Sequence, residues 1–146
     1  MSDIQGISMK DSLKPGVSRT NRIKIDRDRT IGFMGEEGRV YATPTMVRDI
    51  EHTCRDLLME HSDPDEDSVG IEVSIKHLAA TLMDMTVEIT ATVKEVDRRK
   101  VVFEITGRDE VDQIVSGTHA RFVVEVAQRK ERLKAKAEKW AAVKKA

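Results

Sequence analysis

Apolar residues recur along this chain with two different periods, and the change of period divides it. Met46, Val47, Ile50, Cys54, Leu57 and Leu58 fall at spacings of three, four or one. That spacing marks one face of a helix over about four turns. Thr43 stands where an N-cap belongs, and Pro44 takes the first helical position, where a missing N–H costs nothing. The helix is expected to end near His61, before the breaker cluster Ser62-Asp63-Pro64-Asp65. From Val69 the period falls to two. Val69, Ile71, Val73 and Ile75 share one face, then Met85, Val87, Ile89, Ala91 and Val93, then Val101, Phe103 and Ile105. Val111 to Ala127 is the last and longest strand candidate. Asp97-Arg98-Arg99 and Gly107-Arg108-Asp109 read as turns, so these strands should pair antiparallel.

The flanks are less regular. Residues 1–16 are polar and end in the turn signal Lys14-Pro15-Gly16, which predicts a loose arm. Val17 to Ile25 predicts a short strand. Residues 26–38 form a charged, glycine-bearing loop whose bulky apolar members are Phe33 and Met34, and Arg39-Val40-Tyr41 forms a strand stub. From Gln128 the chain turns into a basic helix or frayed tail, with Leu133, Ala137, Trp140 and Ala141 on one weak face. The expected organisation is therefore an arm (1–16), one α+β domain (17–127) and a basic segment (128–146). A long helix with one apolar side must lie against the sheet, so a central helix wrapped by a curved antiparallel sheet is predicted. One helix covers one face only, which points to a second subunit.

Composition narrows the functional classes. The chain has 146 residues with Lys plus Arg at 25 and Asp plus Glu at 26, a formal net charge of −1, which argues against nucleic acid as partner. Aromatics at 3% leave few stacking platforms for bases. One cysteine allows neither an internal disulfide nor a cysteine-based zinc site. No apolar run approaches the roughly 20 residues of a membrane span, and the start MSDIQGISMK lacks a secretory apolar core. A cytoplasmic address and no membrane partner are the expectation.

Several residues could carry chemistry. Thr43 and Glu51 are eight apart, a little over two helical turns, so they lie broadly on one side. The amides of Thr45 and Met46 at the helix start could hold an oxyanion. The plain alternative makes Thr43 only a cap and Glu51 a solvated side chain. His77 closes a strand beside the small-residue turn Leu78-Ala79-Ala80-Thr81, where an imidazole can act as base or carbonyl polariser. The other histidines, His52, His61 and His119, form no spaced ligand set, so no metal site is expected. Gly117, His119 and Arg121 share a strand face. An inward glycine there marks close approach of a backbone or ligand, and Arg121 could grip a carboxylate or phosphate. Cys54, on the apolar stripe, reads as a small core residue.

Three segments together carry a resemblance: Ala42-Thr43-Pro44-Thr45-Met46-Val47 through Glu51, Ser68-Val69-Gly70 through His77-Leu78-Ala79-Ala80-Thr81, and Val115-Ser116-Gly117-Thr118-His119-Ala120-Arg121. In order and spacing they resemble the hot-dog-fold acyl-CoA thioesterases of the fluoroacetyl-CoA thioesterase type, over roughly residues 15–127. The resemblance implies a hot-dog fold and a homodimer, with pairing into tetramers left open, whose sites lie between subunits. It implies Thr43, Glu51 and His77 as catalytic residues and Gly70, Arg121 and Phe33 as substrate contacts, with no cofactor beyond the coenzyme A of the substrate. The stretch Arg27 to Arg39 departs from the family in being shorter, with Phe33 its one phenylalanine, and Pro44 replaces a smaller residue. The activity so implied is hydrolysis of a short-chain acyl-CoA to carboxylate and free CoA. Glu51 would be base or nucleophile, and the Gly70 N–H would aid the helix start in holding the oxyanion. Coenzyme A carries phosphates, for which Lys76, Arg98, Arg99 and Arg121 are candidate partners. The alternatives are a non-catalytic acyl-CoA or acyl-carrier binding module and an enoyl-CoA hydratase on the same fold.

Overall fold

The computed structural model describes residues 9–145. Five strands form one antiparallel sheet in the order β1-β5-β6-β7-β4: β1 (Ser18–Lys24), β4 (Glu66–His77), β5 (Thr86–Asp97), β6 (Lys100–Arg108) and β7 (Gln113–Glu125). A second, two-stranded ladder joins β2 (Thr30–Ile31) to β3 (Val40–Tyr41). The central helix α1 (Thr43–Met59) packs on the sheet, and a second helix, α2 (Val126–Lys144), follows the last strand.

The helix period is realised as read. Met46, Ile50, Cys54, Leu57 and Leu58 are all buried. They meet Val87, Ile89, Ala91 and Val93 of β5, Val101, Phe103 and Ile105 of β6, and Ile114, Val115 and Val123 of β7 in a single core. Each large aliphatic side chain so buried contributes roughly 1.5–3 kcal/mol. The alternate residues of β5 and β6 face outward, as a half-covered antiparallel sheet requires.

Four expectations need correction. Thr43 is not the N-cap: Ala42 holds that place, Thr43 is already helical, and no side chain caps the helix. Gly107 lies within β6, and the turn that follows is at Asp109–Asp112, closed by the Val111 and Asp112 N–H groups donating to Asp109 at 2.8 and 2.7 Å. The expected loose arm, in its described part, is docked. Leu13 is buried in the core, the Lys10 N–H donates to the His61 carbonyl at 2.9 Å, and Gly16 turns at φ +96°. Residues 1–8 of that arm lie outside the described residues. Finally, the row Val69, Ile71, Val73, Ile75 does not keep one face, although Ile75 packs against the core. A bulge follows Gly70, β4 is an edge strand, and Ile71 and Val73 stand exposed.

The loop before α1 is fixed by one buried carboxylate. Asp49 accepts a hydrogen bond from the Tyr41 hydroxyl at 2.6 Å and from Arg29 Nε at 3.1 Å. The Arg29 carbonyl in turn accepts from the Ala42 N–H at 2.9 Å. This strut joins β2–β3 to the first turns of α1 and so sets where the helix begins. Burial and the Asp49 charge together push the Tyr41 phenol far above its usual range. Tyr41→Phe is expected to destabilise the fold by about 2 kcal/mol, because it leaves a buried charged acceptor short of one donor. Urea-unfolding midpoints of the two proteins test this.

Candidate active site

At the start of α1 the helix leaves donors free. The Ala42 N–H is taken by Arg29, Pro44 has none, and the Met46 N–H donates to the Ala42 carbonyl at 2.9 Å. Of the two amides expected to face an oxyanion, Met46 is therefore committed to the helix. Thr45 remains, together with Thr43, at the positive end of the macrodipole. Because Thr43 does not cap, its hydroxyl is free to meet His77, with Oγ1 and Nδ1 at 2.8 Å. The other ring nitrogen, His77 Nε2, is buried and has no hydrogen-bond partner among the described residues. Burial pulls the ring below its usual range, against a smaller opposing effect of the Ala79 backbone. His77 is therefore neutral at pH 7. With the proton on Nδ1 the ring donates to Thr43, and Nε2 can accept a proton.

This pair opens on a pocket of about 730 Å³, lined by Ile31, Phe33, Tyr41, Pro44, Leu78 and Ala80 among others. Phe33 stands at its wall, 87% exposed. None of the lining residues is a lysine or arginine.

A second cluster forms two turns along α1. Arg121, buried in β7, reaches Glu51 Oε2 at 3.6 Å from Nη1. It is held in place by donating from Nε to Ser68 Oγ at 2.8 Å and from Nη2 to the Ser68 carbonyl at 2.9 Å. Burial lowers the affinity of the guanidinium for its proton, and the Glu51 charge opposes that. Gly70 of β4 faces the same place. A Cβ there would collide with the Glu51 carboxylate and lie 3.3 Å from the His119 ring and 3.4 Å from Arg121. Of the two readings of Gly117, close approach of a backbone or of a ligand, the first holds. A Cβ at Gly117 would run into the β4 backbone at Ser74 and Ile75, so it is a close approach of two strands.

His119 belongs to this cluster, although the sequence assigns it no role beyond sharing a strand face with Gly117 and Arg121. Its Nδ1 donates to the Glu72 carbonyl at 2.8 Å, leaving Nε2 as the atom that faces Arg121 Nη1 at 3.3 Å. Its ring stacks near Phe103 with centroids 6.4 Å apart. Burial holds it below the usual imidazole range. The signal for it was the shared face of Gly117, His119 and Arg121. Asp49, the strut under the helix start, gave no signal at all, since its partners Tyr41 and Arg29 lie eight and twenty residues away.

The structure thus joins Thr43 to His77, and Glu51 to Gly70 and Arg121. Within one chain it does not bring the two groups together. Glu51 lies eight residues from Thr43, about 12 Å of helix rise. Gly70 lies seven from His77, about 23 Å of strand. Of the cations expected near the phosphates, Arg121 is spent on Ser68 and Glu51. Arg98 and Arg99 lie in the β5–β6 turn at the opposite end of the sheet from His77, where Arg99 approaches the buried Glu66 at 3.6 Å. Cys54 is buried, and burial pushes its thiol up to about 12. Among the described residues, no group of three or more potential ligands could hold a metal ion, and no helix is long and apolar enough to cross a membrane.

Comparison with known proteins gives the following. A family profile described as fluoroacetyl-CoA-specific thioesterase matches residues 25–127. A fluoroacetyl-CoA thioesterase from Streptantibioticus cattleyicolor is 31% identical over 123 residues, 80% of this chain and 88% of that protein. A crystal structure of the fluoroacetyl-CoA-specific thioesterase carrying alanine for a phenylalanine superposes with a TM-score of 0.79 at 28% identity, covering 87% of this chain and 99% of that one. The same variant with fluoroacetate and CoA bound gives a TM-score of 0.73 at 28% identity, over 80% and 98%.

Both buried imidazoles titrate lower in the folded chain than the ordinary 6.5. Below that pH the unfolded chain binds more protons, so stability falls as pH drops through 6.5 toward the folded values, and this contribution is flat above. Urea midpoints between about pH 7.5 and 5 should show the decline, with a shallower slope for His77→Gln.

Proposed function

Because this chain belongs to the fluoroacetyl-CoA-specific thioesterase family and hydrolyses acyl-CoA thioesters, we propose that it acts on short acyl groups at a site built by two subunits. The observation that carries the reading is the hydrogen bond between Thr43 and His77 at the free amides of α1, on the wall of an apolar pocket. A thioester carbonyl placed there develops its negative charge against the Thr43 and Thr45 N–H groups. Neutral His77 relays a proton through Nε2 while Thr43 fixes the ring. Glu51 either draws the proton from an attacking water or attacks the carbonyl itself, giving a mixed anhydride that water then opens. In both cases the C–S bond breaks, the thiolate leaves protonated as free CoA, and the acyl group leaves as its carboxylate.

The second subunit supplies what one chain lacks. β4 is an unpaired edge that exposes Ile71 and Val73 beside the Glu51 cluster. A two-fold axis beside it pairs the strand with its own copy, necessarily antiparallel. The Gly70 region of one chain then approaches the His77 region of the other. Glu51 and Arg121 of one subunit complete the site whose helix start and imidazole come from its partner. The assembly is thus a homodimer with two such sites. Phe33, exposed on its loop at the pocket wall, closes over the acyl end and contributes to choice of acyl group. A cytoplasmic location suits a CoA ester.

Release of CoA from acetyl- to hexanoyl-CoA, followed with a thiol reagent, tests the activity; a folded protein that releases none rejects the proposal. Glu51→Gln should lower kcat by roughly 10²–10⁴. Gly70→Ala should do likewise while leaving the unfolding midpoint close to the parent, because the added methyl displaces the Glu51 carboxylate rather than a core group. The shared site makes a sharper forecast. Glu51→Gln and His77→Ala proteins, each inactive, should regain about a quarter of parental activity when unfolded together and refolded as an equal mixture, since half the dimers then hold one intact site. A site contained within one chain predicts no recovery.

A further inference from the structure

The helix α2 has no use in the reading so far. It begins one residue before the family match ends at residue 127, and none of its residues is buried. Residues 126–146 hold eight Lys and Arg against two Asp and Glu, while residues 1–125 hold seventeen against twenty-four. An acidic body therefore carries a strongly basic helix. The two acids, Glu131 and Glu138, are seven apart and share a face. The side bearing Leu133, Ala137 and Trp140 is flanked instead by Arg129, Lys130, Lys136 and Lys144. The one tryptophan of the chain, Trp140, is 59% exposed, and Lys144 Nζ sits 3.9 Å above its ring.

We infer that α2 binds the phosphorylated adenosine end of coenzyme A, with Trp140 under the base and Arg129, Lys130, Lys136 and Lys144 on the phosphates. This rests on the acyl-CoA reading above and assigns the part of the substrate that reading leaves unheld. Substrate phosphates need cations, and the pocket beside Thr43 and His77 has none. Lys76 and Arg108 stand at the His77 end but outside that lining, and a larger group of cations gathers at the other end of the sheet. The Val126 N–H donates to the Asp65 carbonyl at 2.9 Å, so α2 starts beside Glu66, eleven residues along β4 from His77, about 36 Å. Arg98, Arg99 and Lys100 lie at that same end. The acids there are partly answered: Asp67 by Arg55 at 2.8 Å and Glu66 by Arg99, with Asp63, Asp65, Asp97 and Glu125 left. Antiparallel pairing of β4 with its copy, with Gly70 near the partner's His77, carries this end about four residues, roughly 13 Å, past that histidine. Nineteen residues of helix, about 28 Å, are long enough to reach back to the mouth of the partner's pocket, where a pantetheine arm would emerge. An exposed aromatic ring among lysines suits a purine and its phosphates, through stacking and charge-assisted hydrogen bonds.

A single tryptophan makes the test direct. Trp140 emission of the full chain, titrated with free CoA and with adenosine 3′,5′-bisphosphate, should quench saturably, and adenosine alone should quench far less. Replacing Arg129, Lys130, Lys136 and Lys144 by alanine keeps helix propensity. It should weaken the quench and raise KM for acyl-CoA about tenfold, the loss of one or two charge-assisted contacts. The preference for acyl-CoA over the same acyl N-acetylcysteamine thioester, which has no phosphate, should shrink by the same factor. A protein that releases CoA while Trp140 ignores CoA overturns this inference and leaves the hydrolase reading standing. Quenching by anionic phospholipid vesicles but not by CoA overturns it in favour of a membrane. A protein that quenches with CoA but never releases thiol supports the binding site and ends the proposed chemistry.

Discussion

Met46, Ile50, Cys54, Leu57 and Leu58 leave water only because five antiparallel strands curl around α1. Once that stripe is seated, the remaining placements follow. The helix start is pinned by Asp49 through Tyr41 and Arg29, so the free amides of Thr43 and Thr45 and the end of β4 meet at one place. Two turns on, the same helix presents Glu51 to β4 and β7, where a strand with glycine at 70 leaves room for a carboxylate. Catalytic geometry here is a by-product of burying one apolar face, which is why both clusters sit on well-packed elements rather than on loops.

Electrostatics divides the two clusters. Around His77 burial dominates and favours the neutral ring, which suits the proton transfer proposed for it. Around Glu51 a buried guanidinium, itself locked by Ser68, stands beside the carboxylate. A neutral imidazole and a carboxylate held by an arginine are complementary tools for opening a thioester. In the proposed dimer a two-fold axis would join them and keep each in the surroundings that suit it. The edge strand β4 is the natural seam, since its outward Ile71 and Val73 and its unpaired backbone are a liability in an isolated chain.

The fold was largely legible in the sequence, because a period of 3.6 and a period of 2 rest on local sterics. Thr43, His77, Glu51, Gly70 and Arg121 became a set only through the resemblance of three segments to the thioesterase family, and the structure joins them as two separate clusters. What could not be read was set by contacts distant in sequence. Thr43 looked like a cap, and only the position of His77, thirty-four residues on, shows what its hydroxyl does instead. Spacing along α1 gives rise and rotation but not which strand residue lies opposite, so the separation of Glu51 from His77 within one chain was hidden. His119 shows the same limit. Its burial depends on the Glu72 carbonyl, exposed to it by the bulge after Gly70, and a bulge shifts register in a way alternation does not report.

Cys54 sits on the inner stripe of α1 one turn from Glu51, with its thiol pushed up to about 12 by burial. A buried sulfhydryl that stays protonated is a poor nucleophile toward an activated acyl group and exchanges poorly with released coenzyme A. The enzyme is thereby spared self-acylation and mixed-disulfide capture by its own product, and should tolerate oxidised and reduced surroundings alike.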